Sequence, residues 1–475
     1  MRRKQFLLTT KEVGFLGGTT ARVKAYNLFL GEDLNHTISV NHNVELHLLG
    51  VLHDWENPHL SNQENLDSIA QCDTIKEILS ASDKYSGEFV IIVSINDDLY
   101  VFNDCCGQME IYYDEAFSSF GTQPRLIGEV VDLIDHTDVS TIEYYQSQVF
   151  IKKCLFVGES THKKNIFHLL PNHLLDLNLK KSQRFFPVKR IESNPLEYVS
   201  KRVSKMLKGY IVSLANRSKL RMAVTGGYDS RVLFLASLDV DCAYYVSKHH
   251  NMGHDHHDVV IPCKLTALYK KDFVVKEDQP INDNEYVQVN DIDFPRGLKL
   301  KMQREEVMVI NGNISEVARN YFGYYKNATA KDLCYLSGYS ALKFPVEQYQ
   351  KWLQSKALFE DMGYHYLDMF YWEEKMGNWT AKAKTEYSAF GKNITSPFNS
   401  RALLMLLLST KRKFRDSHFN VLYDMIIYEL SDGNTVVTEM PVNPSKKQDR
   451  IRMMKKMKLY NLYRQLVLAA KVFGN

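Results

Sequence analysis

Ala223-Val224-Thr225-Gly226-Gly227-Tyr228-Asp229-Ser230-Arg231 lies where two patterns meet: Leu220 to Val224 is a short apolar run of strand character, and Arg231 to Leu238 repeats apolar residues at helical spacing. Thr225 to Ser230 is therefore a loop between strand and helix. Two glycines let its backbone approach an anion, the Thr225 and Ser230 hydroxyls add donors, and the helix start supplies N–H groups at the positive end of its dipole. This is a cradle for phosphate or pyrophosphate. Asp229 alone would repel a phosphate, and its place in the loop makes chemical sense with Mg²⁺ between the two. A Walker-type loop is excluded, because no Gly-Lys-Ser/Thr stands at the required spacing. The plainer alternative is a turn that needs its glycines for geometry only.

Outward from the loop, Cys242 to Val246 and Glu306 to Ile310 read as further buried strands, and strands alternating with helices predict a parallel α/β sheet. Tyr198, Val199, Val203, Met206, Leu207, Tyr210 and Ile211 recur at helical spacing and lead into this unit. Beyond Lys331 the chain reads as helical, including Ala402 to Leu408. The first ~190 residues differ in kind. Glu88 to Ile95 and Leu99 to Phe102, separated by Asn96-Asp97-Asp98, predict a hairpin; Arg125 to about Leu133 predicts a helix, and Ile166 to Leu179 further strands. The chain thus divides near Arg190 into residues 1–190, an α+β unit, and residues 191–475, an α/β unit with a helical end.

The 475 residues include 45% hydrophobic and 24% charged, which suits folded domains and not a disordered chain. A net charge of +3 argues neither for nucleic acid nor for a membrane surface. Seven cysteines without regular spacing do not form a disulfide framework, Phe6-Leu7-Leu8 is too short for the apolar core of a signal peptide, and no apolar stretch reaches spanning length. The expectation is a soluble, cytoplasmic protein that binds no nucleic acid.

Thr225-Gly226-Gly227-Tyr228-Asp229-Ser230 resembles the Ser-Gly-Gly-x-Asp-Ser pyrophosphate loop of the asparagine synthetase-like ATP pyrophosphatases, with Thr for the first Ser. Further matches follow in order. Asn311-Gly312-Asn313-Ile314-Ser315-Glu316-Val317 resembles the family's second acidic loop, and Ile394-Thr395-Ser396-Pro397-Phe398-Asn399-Ser400-Arg401 resembles its Pro-Phe segment ahead of a helix. In the first unit, Gly87-Glu88-Phe89, Asn103-Asp104-Cys105-Cys106-Gly107, Ile111-Tyr112-Tyr113, Leu170-Pro171-Asn172-His173 and Arg184-Phe185-Phe186-Pro187 are similar to the family's glutaminase-like domain. The resemblance spans about Tyr85 to Lys447. It implies an N-terminal Ntn-hydrolase-like sandwich followed by an adenine nucleotide α-hydrolase-like (ATP pyrophosphatase) domain.

A glutaminase of this type needs Cys at residue 2, whose own amine is the base. Here residue 2 is Arg, and Cys105 and Cys106 lie inside the chain without a free amine. β-Lactam synthetases resemble this arrangement, with an inactive glutaminase-like domain and an amine substrate that attacks an adenylate. The resemblance implies an AMP-forming amide ligase using ATP and Mg²⁺ on a small-molecule or peptide carboxylate and an amine. Thr225, Gly226, Gly227, Asp229 and Ser230 would bind ATP and pyrophosphate, and Asp229 and Glu316 would hold the metal. Glu316, the one carboxylate left in the thinned second loop, and Lys446 or Lys447, after Pro441-Val442-Asn443-Pro444, are the catalytic candidates; the lysines also read as a solvated charge run. The alternatives are a non-catalytic nucleotide-binding or assembly relative and a glutamine-dependent asparagine synthetase. A homodimer is left open.

Two other features compete for attention. His249, His250, His254, His256 and His257 with Asp255 and Asp258 form a metal-like cluster, but a polar loop on the nucleotide side, with Asp255 or Asp258 capping a helix, is preferred to a zinc site. Lys446 to Asn475 holds nine Lys/Arg and one Asp, a segment of +8 in a chain of +3. Leu459, Leu462, Tyr463, Leu466, Val467, Ala470 and Phe473 form a helical stripe beside it. The preferred expectation packs that stripe on the parent domain; the alternative is a weak contact with a membrane surface or another anionic partner.

Overall fold

Residues 3–13, 19–153, 155–248, 252–277, 287–289, 298–300 and 306–473 are described by the computed structural model. The first half carries strands β1 (Phe6–Thr9), β2 (Thr19–Val23), β3 (Tyr26–Leu30), β4 (His36–Asn41), β5 (Val44–Gly50), β6 (Phe89–Ile95), β7 (Asp98–Asn103), β8 (Tyr112–Asp114), β9 (Ser119–Gly121), β10 (Ile166–His168), β11 (His173–Asp176) and β12 (Lys181–Arg184). They form two antiparallel sheets, ordered β10-β8-β9-β1-β3-β2 and β12-β11-β7-β6-β5-β4.

Phe89-Val-Ile-Ile-Val-Ser-Ile95 is buried at every position because both faces of its sheet are covered. Val90 and Ile92 point between the sheets with Phe6, Leu8, Leu28, Ile111 and Leu175. Ile91 and Val93 point outward to Leu66, Ile69, Ile78 and Leu79 on helices α1 (Asn62–Ile69) and α2 (Ile75–Ser82). Both helices start with capping boxes, Ser61 with Glu64 and Thr74 with Glu77. The expected hairpin is present, with Asn96 at φ +52°, a conformation Asn accepts readily. The expected helix at 125–133 shrinks to Pro124–Ile127. Asn165 is the cause: it accepts from the Ile134 N–H and donates to the Asp132 carbonyl, which pulls the chain off the helix axis.

The second half opens with α3 (Leu196–Ala215) and continues β13 (Leu220–Ala223), α4 (Tyr228–Ala236), β14 (Cys242–Lys248), α5 (His257–Leu268) and β15 (Phe273–Glu277). A two-stranded piece, β16 (Val287–Val289) with β17 (Leu298–Leu300), precedes β18 (Met308–Ile310), α6 (Ala330–Ser337), β19 (Ile394–Thr395) and α7 (Arg401–Leu408). Then come α8 (Val421–Leu430), α9 (Lys446–Lys456) and α10 (Tyr460–Phe473). Five strands form one parallel sheet in the order β15-β14-β13-β18-β19. The chain leaves β13 to one side for β14 and β15 and returns on the other for β18 and β19. The order therefore reverses between β13 and β18, which opens a crevice beyond their carboxyl ends, the place where open parallel sheets hold ligands.

Candidate functional site

Two loops meet in that crevice. The first follows β13 as predicted but is shorter: α4 begins at Tyr228, so Asp229 and Ser230 stand in the first helical turn. Tyr228 is buried against Tyr423, with ring centroids 5.9 Å apart, and this packing draws it into the helix. Ser230 folds back on the turn, its Oγ accepting from the Thr225 N–H at 3.0 Å and lying 3.0 Å from Thr225 Oγ1. The second loop follows β18. Gly312 lies so close to Asp229 that a Cβ added there would be 2.5 Å from the Asp229 Cβ, so only glycine lets the two loops touch.

The touching loops bring charges together. Ser315 Oγ donates to Asp229 Oδ1 at 2.5 Å, and Arg319 Nη1 donates to Asp229 Oδ2 at 2.5 Å. The Arg319 guanidinium also lies 6.0 Å from the Tyr228 ring centre and 5.9 Å from that of Tyr423. Glu316 occupies the one-turn 3₁₀ helix Ser315–Ala318, and its Oε2 is sealed from solvent without a hydrogen-bond partner. Burial first, and then the Asp229 charge, push its carboxyl up to about 8, with Arg319 working against the shift.

An orphaned carboxylate oxygen beside a second carboxylate is a donor set that suits a hard divalent cation, and a cation there would ionise Glu316. Asp229 and Glu316 would hold the expected Mg²⁺ through the orphaned Glu316 Oε2 and an Asp229 oxygen released by Ser315 or Arg319, which between them bond both Asp229 oxygens here. Asn313, by contrast, is exposed, and its backbone N–H is turned back on Asn311 Oδ1.

Three further residues frame the cradle: Asp258, whose segment was expected on the nucleotide side, and Asn443 and Arg231, which the sequence reading gave no role there. Asp258 was expected to cap α5, but the cap is His256, whose Nδ1 accepts from the Asp258 N–H at 3.2 Å. Asp258 instead accepts from the Gly226 N–H at 2.8 Å and so holds one of the cradle's donors. Asn443 donates its N–H to the Gly226 carbonyl at 3.0 Å. Arg231, buried at 1% exposure, fixes that segment by donating to the Met440 and Pro441 carbonyls at 2.8 Å each.

The histidine cluster divides. His256, His257 and Asp258 place ligand atoms within 4.8 Å of one another beside the loop. His254 lies ahead of the helix and pairs with Lys248 and Glu277; His249 and His250 lie outside the described residues. Asp255 has no capping role either.

Of the two lysines, Lys447 is placed differently from the expectation. The Lys446 side chain lies outside the described residues. Lys447 is exposed at the start of α9, and among the described residues no hydrogen bond or ion pair joins it to the Thr225–Ser230 turn. It lines a cavity of about 910 Å³ whose wall includes Tyr321, Phe322, Tyr335, Arg450 and Tyr463. In that wall the Tyr321 ring lies 4.6 Å from that of Tyr371, and burial first, then the Glu316 charge, raise its hydroxyl.

No family model and no curated protein matches the chain. Among solved structures, one described as the structure of the allosteric regulatory enzyme of purine biosynthesis is similar over 64% of this chain and 68% of that chain, at 10% identity and a TM-score of 0.25. A likeness this remote bears on neither substrate nor reaction.

Proposed function

We propose that this chain is an ATP-dependent, AMP-forming amide ligase of the asparagine synthetase-like type, with an Ntn-hydrolase-like first half that supplies no ammonia. The observation that supports this most is the pairing of the Gly226-Gly227 turn with the Asp229, Ser315, Glu316 and Arg319 cluster at the point where the parallel sheet reverses order. Backbone N–H groups at a helix start suit pyrophosphate, and fixed donors there cost no reorganisation as charge develops. In this reading a carboxylate attacks the α-phosphate of MgATP, the bond to pyrophosphate breaks, and an amine then displaces AMP from the acyl-adenylate. Asp229 and Glu316 would hold a Mg²⁺ ion, and that ion would supply positive charge against the departing pyrophosphate. Arg319 sits where it can exchange Asp229 for a phosphate oxygen. The cavity beside Lys447 and Tyr321 is the place offered to the acid or the amine.

Incubation with MgATP and a panel of carboxylates, with and without amines, should release pyrophosphate. Asp229→Ala should abolish that release while leaving the fold intact by circular dichroism. Full activity in the variant refutes the site.

One observation favours a second reading, a non-catalytic nucleotide-binding relative. Both Asp229 oxygens already have protein partners, and Glu316 is held towards its neutral form. Tight ATP binding without turnover on any acid would select it. Glutamine-dependent asparagine synthesis is a further alternative that a glutamate-release assay decides; Arg2 lies outside the described residues.

A further inference from the structure

Helix α10 does not pack by its apolar stripe. Its inward side is Tyr460, Arg464 and Leu468: the Arg464 guanidinium lies 5.7 Å from the Tyr325 ring centre, and Leu468 is 9% exposed. Leu459, Leu462, Tyr463, Leu466 and Val467 are turned outward, between 37% and 61% exposed. Met453 and Met457 of the preceding segment are likewise exposed, at 58% and 59%. For the described part of the stripe, Leu459 to Ala470, this overturns the expectation that it covers the parent domain. The inward side is occupied by an arginine set against the Tyr325 ring and a tyrosine set against the His418 ring, and the leucines face solvent.

Cations surround the patch. Lys447, Arg450, Lys456 and Lys458 are all exposed, and Asp449 is the one carboxylate between Lys446 and Asn475. A contiguous apolar face is rarely left bare on a soluble protein, and it calls for an occupant. A second copy of the chain is a poor one, because a twofold contact would press two segments of +8 against each other. The complementary surface is apolar beneath a negative layer. We propose that α9 and α10 seat this protein on an anionic lipid surface, with Leu459, Leu462, Leu466 and Met457 at the acyl boundary and the lysines and Arg450 at the phosphate layer. At 14 residues, α10 has the length of a helix lying in the interface and not of one crossing it. Tyr463 and Val467 belong both to the patch and to the wall of the cavity that Lys447 lines, so docking brings the cavity mouth to the lipid surface.

The test is cosedimentation of the full chain with vesicles of phosphatidylcholine alone or with about 30% phosphatidylglycerol, at low and at about 0.5 M salt. Binding is expected to the anionic vesicles only. Lys456→Gln with Lys458→Gln should lower the partition coefficient about 25-fold, at about fivefold per charge. Leu462→Ser with Leu466→Ser, both at exposed positions, should lower it at least about tenfold at low salt. Absence of binding to anionic vesicles overturns the proposal. So does binding that the leucine substitutions leave unchanged, which marks simple adsorption of a polycation. A concentration-dependent dimer that Leu462→Ser with Leu466→Ser abolishes, seen by light scattering without vesicle binding, overturns it in favour of a second copy.

Discussion

Glu316 makes the candidate site sensitive to pH. Its carboxyl is pushed up to about 8 when folded, whereas an ordinary glutamate ionises near 4.5. Between those values the folded chain holds a proton that the unfolded chain has lost, so the contribution to stability is full below about pH 4.5 and disappears as pH rises through about 8. The melting temperature should therefore fall between about pH 5 and about pH 8 more steeply in the natural protein than in Glu316→Gln. Mg²⁺ added at about pH 8 should restore stability to the former and not to the variant, because only an ionised Glu316 can use the cation. Differential scanning calorimetry across this range decides both points. Asp229 could be read from the sequence because it falls inside a short motif. Arg319 could not: it lies one helical turn beyond Glu316, and nothing in that spacing announces a salt bridge to a residue 90 positions earlier.

Helix α4 shows how an element can carry a distant segment. Its Arg231 reaches across to the Met440 and Pro441 carbonyls, and the segment so fixed presents Asn443 to the Gly226 carbonyl. Arg231→Met keeps the apolar stem and removes both hydrogen bonds. It should cost about 3 kcal/mol in urea denaturation, since it removes two hydrogen bonds from a charged donor that is itself buried. ATP affinity should fall with it, measured by titration calorimetry. Arg231 was legible as the start of a helix, but its partners were not, because they are backbone atoms of a proline-containing segment more than 200 residues away. Strand existence was clear from the apolar runs Leu220 to Val224 and Cys242 to Val246. Their order in the sheet was not, since order depends on which strands meet and leaves no mark in any one of them. Lys447 shows the same limit: the resemblance made it a catalytic candidate, while at the start of α9 it lines the neighbouring cavity.

At the scale of the molecule, the two halves share one seam. Asp104 accepts from the Gln108 and Met109 N–H groups at 2.8 and 2.9 Å, and also from Asn399 Nδ2 at 2.9 Å, while Asn399 donates to the Gly87 carbonyl at 2.6 Å. Glu88 accepts from Thr395 at 2.7 Å and pairs with Lys384 at 3.1 Å, and Trp372 donates to the Cys105 carbonyl at 2.7 Å. Gly87, Glu88 and Asp104 come from motifs singled out in the first half and Thr395 and Asn399 from one in the second, so those motifs are bonded to one another. Expression of residues 191–475 alone would leave this row of polar groups and the apolar surface around Tyr210 and Trp372 without partners. That fragment should be insoluble, or should lack the near-ultraviolet dichroism of the full chain.

At Gly209 on α3 a Cβ would lie 2.1 Å from the Trp55 carbonyl oxygen, so the first half rests directly on the backbone of the second. A half joined in this way can lose its own reagents and still be indispensable. Substitutions would then accumulate most freely at its open rim and least freely along the join, so the lineage of such a chain should be traced through Trp55, Gly209, Asp104 and Asn399.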